Sequence, residues 1–312
     1  MNPGQLKPDL RYWLALHQAT ALSASRLASL VREFGGAAEI FAADAGRLRA
    51  AGLPPEAVAQ LQTAQESLDL LDEQIYSLSE EAVGVLTLSD DDYPANLRMV
   101  ADAPIVLFTR GPLIEEDRKA IGIAGSRKAS EQGVAVAHAI AVHLAQAGLT
   151  IVSGMAQGID SAAHAGALDA GGRTIGVLGC GIRARLSPQA GKLGRRVINQ
   201  GALISETLPN ARTTVAALFA RDRIISGLSL AVVIIEAAAE SGTMDTARHA
   251  RKQKRPIFVV DWDSRDDARA GNRMLIEQGC QPLPASDPQQ AAGLVIERLS
   301  SAGGPSLQLA LF

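Results

Sequence analysis

The sequence predicts an α/β protein: an extended Rossmann-like, doubly wound, mostly parallel sheet preceded by a small helical domain. Three observations carry this expectation. From Ala120 onward, apolar runs of four to six residues alternate with helical patterns. Strands apolar on both faces belong in a parallel sheet covered on both sides by crossover helices. Two of these runs, Ala120-Ile121-Gly122-Ile123-Ala124 and Leu149-Thr150-Ile151-Val152, end in small-residue phrases that open helices. The first 80 residues instead repeat apolar side chains at helical spacing, as in Leu10, Trp13, Leu14 and Leu16, then Leu27, Leu30 and Val31.

The elements follow in order. Residues 1–80 read as a helical bundle of helix-hairpin-helix or SAM-like character, with Pro54-Pro55 opening one of its helices. Residues 81–285 form the sheet domain, entered through Val83–Leu88 and Pro104–Phe108. Strands are expected at 120–124, 149–152, 173–178, 202–205, 230–235 and 256–260, the last closing the set. Helices are expected near 130–147, 159–170, 192–200 and 243–253, and the form of the segment at 213–227 is left open. Residues 286–312 read as a C-terminal tail. The Asp90-Asp91-Asp92 triplet reads as a solvated turn, because consecutive carboxylates on a loop rarely converge on one ion; no metal and no cofactor are expected.

Composition narrows the function. Cys180 and Cys280 are too few for a disulfide framework, so a reducing cytoplasm is the expected location. No early segment reads as a secretory leader, and no run reaches the ~18 apolar residues of a membrane span. The net charge is −3, yet Lys119–Val260 holds 17 basic and 8 acidic residues, or +9, leaving −12 for the remainder. Such segregation points to a local anion-binding face in the sheet domain.

The turns locate that face. In an open parallel sheet, the strand-to-helix turns line the crevice at the carboxyl ends of the strands. Small residues there bring backbone N–H groups close to an anion, and the helix N-terminus adds partial positive charge. The candidate phosphate-binding residues are Gly125, Ser126 and Arg127 on the first turn and Ser153, Gly154, Met155, Ala156 and Gly158 on the second. Ser241, Gly242 and Thr243 open a later helix. Glu236, at the strand end before them, is either an arginine partner or a ligand contact. Arg221 and Arg223 flank Asp222. In an extended stretch both would point to one side; in a helix they would diverge and one would be structural. Phe219 supplies an aromatic face on which a base could stack.

Gly179-Cys180-Gly181-Ile182-Arg183-Ala184 imitates a dinucleotide fingerprint, with Glu206 near the end of the next strand. It lies on the third βα turn instead of the first, and Pro188 would interrupt the helix that must hold the pyrophosphate. Dinucleotide binding is therefore not expected.

The phrases GSR, SGMAQGIDSAAH, TIGVLG, RDRIISGLS, VVIIEAAAESGTMDTA and GNRMLIEQG, in this order and spacing, resemble the DNA-processing protein A family (DprA, also called Smf). The resemblance runs from about Val83 to Gln281. It implies a Rossmann-like protein that binds single-stranded DNA in a basic pocket, protects incoming strands and passes them to RecA in natural transformation. It also implies a homodimer with contacts near Met274, Leu275 and Ile276, and no catalysis. The chain departs from the family in places. The family's Phe-Pro-x-Arg-Asn-Arg is Leu218-Phe219-Ala220-Arg221-Asp222-Arg223 here, so the aromatic comes one place later and the asparagine is an aspartate. About thirty residues follow Gln281, too few for the winged helix that many members carry. The alternative is a nucleotide-binding protein or a phosphoribohydrolase resembling the LOG family. In that family a glutamate acts at the position of Thr246, and a hydroxyl cannot replace it.

Overall fold

The computed structural model describes residues 7, 9–18, 22–264 and 266–301. Six helices come first: α1 (Leu10–His17), α2 (Ala24–Phe34), α3 (Ala37–Ala42), α4 (Ala45–Ala50), α5 (Pro55–Gln65) and α6 (Leu68–Glu80). Ser23 and Asp44 cap α2 and α4 by accepting from the amides of Arg26 and Arg47. Pro55 starts α5, where a missing N–H costs nothing. Trp13, Leu16, Leu30, Ile40 and Leu78 are fully buried and make these short helices one packed body.

The chain then enters the sheet through β1 (Gly84–Thr87), the four-residue α7 (Ala95–Arg98) and β2 (Val106–Arg110). The parallel part follows: β3 (Ala120–Ala124), α8 (Glu131–Gln146), β4 (Thr150–Gly154), α9 (Ile159–Asp169), β5 (Thr174–Val177), α10 (Pro188–Gln200) and β6 (Gly201–Ser205). It continues with α11 (Val215–Leu228), β7 (Ala231–Ile234), α12 (Gly242–Lys252), β8 (Ile257–Asp261), α13 (Ala270–Glu277), β9 (Gln281–Pro284) and α14 (Pro288–Ser301). The nine strands lie in the order β1-β2-β6-β5-β4-β3-β7-β8-β9. Only β1–β2 and β2–β6 pair antiparallel. Helices α8, α9, α10 and α14 cover one face, and α11, α12 and α13 the other.

The expected strands lie within a residue or two of their places, but the set does not close at β8. Strand β9 adds a further parallel strand, Phe258 opposite Gln281 through Asp261 opposite Pro284. Its sequence, Gln-Pro-Leu-Pro, hides it, since proline cannot donate to a ladder and is tolerated at a sheet edge. The segment taken as a tail contains α14, whose Ala291, Ala292, Val295 and Leu299 are buried in the core beside α8. Asp90 is not simply solvated: its carboxylate accepts from the Thr87 amide at 2.9 Å and pairs with Lys7 at 2.6 Å.

The helical bundle meets the sheet at β2. His17 is half-buried edge-on against Phe108, and desolvation there pushes its pKa down to about 4. No helix among the described residues is long and apolar enough to cross a membrane, and no group of His, Cys, Asp and Glu among them is placed to hold a metal ion.

Candidate nucleic-acid interface

Strand order reverses between β3 and β7: the connection from β3 leads to β4 on one side, while β7 lies on the other. A crevice opens outside the carboxyl ends of strands at such a switch point. Here a cavity of about 420 Å³ lies between the turn after β3, helix α11 and the start of α12.

Three turns are tied together beneath it. The Ser126 amide donates to the Glu236 carbonyl at 2.7 Å, and the Ile159 amide donates to the Ser126 carbonyl at 3.2 Å. A Cβ on Gly125 would run into Ile159, and one on Gly158, at φ +78°, would strike the Ser126 carbonyl. These glycines therefore serve close backbone approach. The result is a rigid platform that displays Arg127 and Lys128. Both are exposed, both line the cavity, and neither side chain has a hydrogen-bond or ion-pair partner among the described residues. Lys128 was absent from the sequence-based site; its adjacency to Arg127 on the same turn was the available signal.

The segment after β6 is helical, so Arg221 and Arg223 diverge. At about 100° per residue, positions two apart lie on nearly opposite sides of a helix. Arg221 faces the cavity, held between Asp160 at 3.3 Å and Asp222 at 3.2 Å. A Cβ on Gly154 would overlap the Arg221 guanidinium, so that glycine clears space for a buried charge. Arg223 points away from the cavity and is buried against the Glu206 carboxylate, with Nη1 left unpartnered. It does not join the site.

The second small-residue turn also differs from expectation. The Asp160 carboxylate accepts from the Ala156 amide at 3.4 Å, occupying the place expected for an external anion. Ser153 is fully buried and donates to the Ile123 carbonyl at 2.6 Å. Met155 packs beside Gly176 and Gly194 in the main core. Ser153, Gly154, Met155 and Gly158 thus support the platform from below, while Ala156 reaches the cavity wall.

The opposite wall is formed by Phe219 and the start of α12. Phe219 is 44% exposed, and its ring edge lies beside Gly242 in the cavity wall. The Ser241 hydroxyl donates to the Ala238 carbonyl at 2.8 Å and does not cap α12. The first amides of α12, at Gly242 and Thr243, therefore open toward the cavity with the positive end of the helix dipole. Glu236 is a partner group, not a wall of the site. It accepts from the Ser130 hydroxyl at 2.7 Å and the Ser130 amide at 3.2 Å, and lies 3.8 Å from Arg269. Of the three expected contacts on α13, Leu275 belongs to the core with β7 and β8, Met274 is exposed and Ile276 is half-buried.

Asp222 gives the cavity a titrating wall. Burial pushes its pKa up to about 6 from 3.8; Arg221 and Arg127 pull it down and Asp160 pushes it up. Above about pH 6 it is charged and opposes an incoming anion; below, it is neutral. Anion affinity is therefore expected to rise as pH falls through about 6. Asp222→Asn should bind more tightly at pH 7.5 and flatten that slope. A pH series of binding isotherms for both proteins checks this, and an unchanged slope in the variant excludes Asp222 as its source.

Residues 84–292 match the family model for DNA recombination-mediator protein A. The chain is 34% identical over 206 residues to DNA processing protein DprA of Bacillus subtilis, covering 65% of this chain and 69% of that protein. The X-ray structure of DNA processing protein A from Streptococcus pneumoniae superposes with a TM-score of 0.76 at 27% identity, covering 92% of this chain and 97% of that one. DNA processing protein A from Helicobacter pylori, whose structure was solved for its single-stranded DNA binding mode, gives a TM-score of 0.60 at 25% identity over 69% of this chain and 96% of that one.

Proposed function

The chain belongs to the DNA recombination-mediator protein A family, and from that premise we propose that the crevice at the β3–β7 switch point binds single-stranded DNA by its phosphate backbone. The observation that carries this reading is the pair of unpartnered cations, Arg127 and Lys128, facing an exposed aromatic, Phe219, across a cavity. Cations and helix-terminal amides hold phosphates without reading sequence. An aromatic accepts any base on its π-face. The Helicobacter pylori relative's single-strand binding mode supports the same assignment. Gly125, Ser126, Arg127, Lys128, Gly242 and Thr243 would hold phosphates, with Phe219 stacking one base.

The test is a titration with single-stranded and duplex oligonucleotides at two salt concentrations. Single strands should bind more tightly, with a steep salt dependence. Duplex binding as tight as single-strand binding at moderate salt ends this reading. Phe219→Ala should cost about 1–3 kcal/mol of single-strand affinity, the worth of one stacked base.

Protection of incoming strands and their transfer to RecA in the cytoplasm complete the proposal. A homodimer through α13 is part of it, resting on Met274 and Ile276 since Leu275 is committed to the core. Sedimentation showing only monomer at about tens of micromolar, a working scale for weak association, would remove the dimer. No catalysis is proposed: Thr246 is buried and Asp245 is paired with Arg248. Release of free base from nucleoside monophosphates would reverse that assignment.

A further inference from the structure

The crevice holds a group that phosphate binding does not explain. Asp222, on α11, lines the same cavity as Arg127 and Lys128 and is 6% exposed. Its Oδ1 lies 3.2 Å from Arg221, and its carboxylate makes no other hydrogen bond or ion pair among the described residues. An ionised carboxylate accepts at about four lone-pair sites, so most of its capacity stays open. Arg221 does not need it as countercharge, since the buried Asp160 meets the same guanidinium at 3.3 Å. Toward a phosphate, Asp222 is repulsive once it is charged. A buried carboxylate calls for hydrogen-bond donors, and the protein supplies it with the Arg221 contact alone.

The place of Asp222 on its helix adds an independent observation. Phe219 and Asp222 are three residues apart on α11, so they share a helix face with Cβ atoms about 5–6 Å apart. Both line the cavity. A base laid on the Phe219 ring therefore turns an edge toward the carboxylate. The bases differ in what that edge offers. On its Watson–Crick edge guanine presents two donors side by side, N1–H and the N2 amino group, which match the two oxygens of a carboxylate. Cytosine and adenine each present a single amino donor beside a ring-nitrogen acceptor. Thymine presents N3–H between two carbonyl oxygens, which a carboxylate repels.

We infer that Asp222 selects guanine for the base position on Phe219, its two oxygens accepting from guanine N1–H and N2–H while Arg221 holds the carboxylate in place. Where the family's motif has asparagine, whose amide sets a donor beside an acceptor, this chain offers acceptors only. Arg127, Lys128 and the first amides of α12 still hold the phosphates, so the guanine preference is added to an affinity that does not depend on sequence. The inference rests on single-strand binding in the crevice.

The experiment compares a thymine strand of about 6 nucleotides, the scale of a single-strand site, with the same strand carrying a single guanine at each position in turn. At pH 7.5 the best-placed guanine should tighten binding about tenfold, the worth of a bidentate pair. Equal affinity for every strand overturns the inference. Base analogues test the contact on the unaltered protein. Inosine, which lacks the N2 amino group, should give back about half of the preference on a logarithmic scale, or roughly threefold. A 7-deazaguanine, which keeps N1–H and N2–H and loses only N7, should retain all of it. Inosine equal to guanine, or a preference lost with 7-deazaguanine, means that another edge is read. Asp222→Asn keeps the shape of the side chain and leaves Arg221 with Asp160, so it should fold, as a melting curve checks, and bring the guanine-to-thymine ratio to about one. A ratio that persists in the folded variant overturns the assignment. Guanosine monophosphate offers the same base beside a phosphate; binding as tight as that of the guanine strand would make this a site for a free nucleotide and likewise overturn it. Arg127→Ala separates this inference from the crevice reading. It should weaken thymine and guanine strands alike and leave their ratio in place. A ratio of one alongside that common loss removes the guanine preference and leaves the crevice standing, whereas no loss on either strand sinks the crevice itself.

Discussion

Arg127→Ala is expected to weaken single-strand binding about tenfold, the worth of one charge-assisted contact to phosphate, and to leave thermal stability unchanged. The two effects separate because of where Arg127 sits. Its backbone belongs to a turn fixed by Ser126, Ile159 and Glu236, while its side chain has no partner among the described residues. Removing the guanidinium breaks no hydrogen bond or ion pair among the described residues; Asp222 loses only a longer-range attraction. The salt slope for a single strand should fall by about 0.7, and by about 1.4 when Lys128→Ala is added. Affinity should fall alike for every sequence, because phosphate contacts position the strand without specifying it. Fluorescence anisotropy over a salt series measures both quantities. An unchanged slope in the double variant would mean that phosphates do not meet this turn.

Arg127 was legible in the sequence because its setting is local. A strand, a Gly-Ser turn and a helix follow one another, and the arginine has no room to be anything but displayed. The parallel strands β3 to β8 were legible for a similar reason: apolar runs buried on both faces leave a signal within each segment. Arg221 and Arg223 were a different matter. Counted along the chain they are two positive charges beside one carboxylate. In the fold Arg221 also meets Asp160 from α9, and Arg223 meets Glu206 after β6. These carboxylates arrive through the topology of the sheet, and no spacing rule within the motif reveals them. The same holds for Met155 and Leu275, whose side chains turn toward a core built by distant strands. Strand β9 was invisible because an edge strand with two prolines lacks the features by which strands are read. The basic segment therefore carries less free charge than its count suggests. Arg127 and Lys128, in the crevice, are among the cations that stay unpaired.

Arg221→Ala should have the opposite character to Arg127→Ala: a large loss of stability. Arg221 is 8% exposed and lies between two buried carboxylates. Removing one partner of a buried pair typically costs about 3–5 kcal/mol, because the remaining charge is left desolvated and unpaired. Melting should then fall on the order of 10 °C, at 2–4 °C per kcal/mol for a domain of this size. The loss should depend on pH, and the sign follows from the carboxylates. Burial raises both Asp160 and Asp222, and Arg221 pulls both down. Asp222, at about 6 against its ordinary 3.8, holds its proton more tightly folded than unfolded. Its contribution to stability is present below about 3.8 and is lost as pH rises through about 6. Without Arg221 both carboxylates move further up, so the lost pH range widens upward. The variant should therefore be most impaired near pH 8 and recover toward the parent near pH 5. Adding Asp222→Asn removes one unpaired charge and should restore part of the loss at pH 8. Thermal melts of the three proteins across that range make the comparison. A single variant that melts with the parent at every pH would show that water, not the guanidinium, satisfies Asp160 and Asp222.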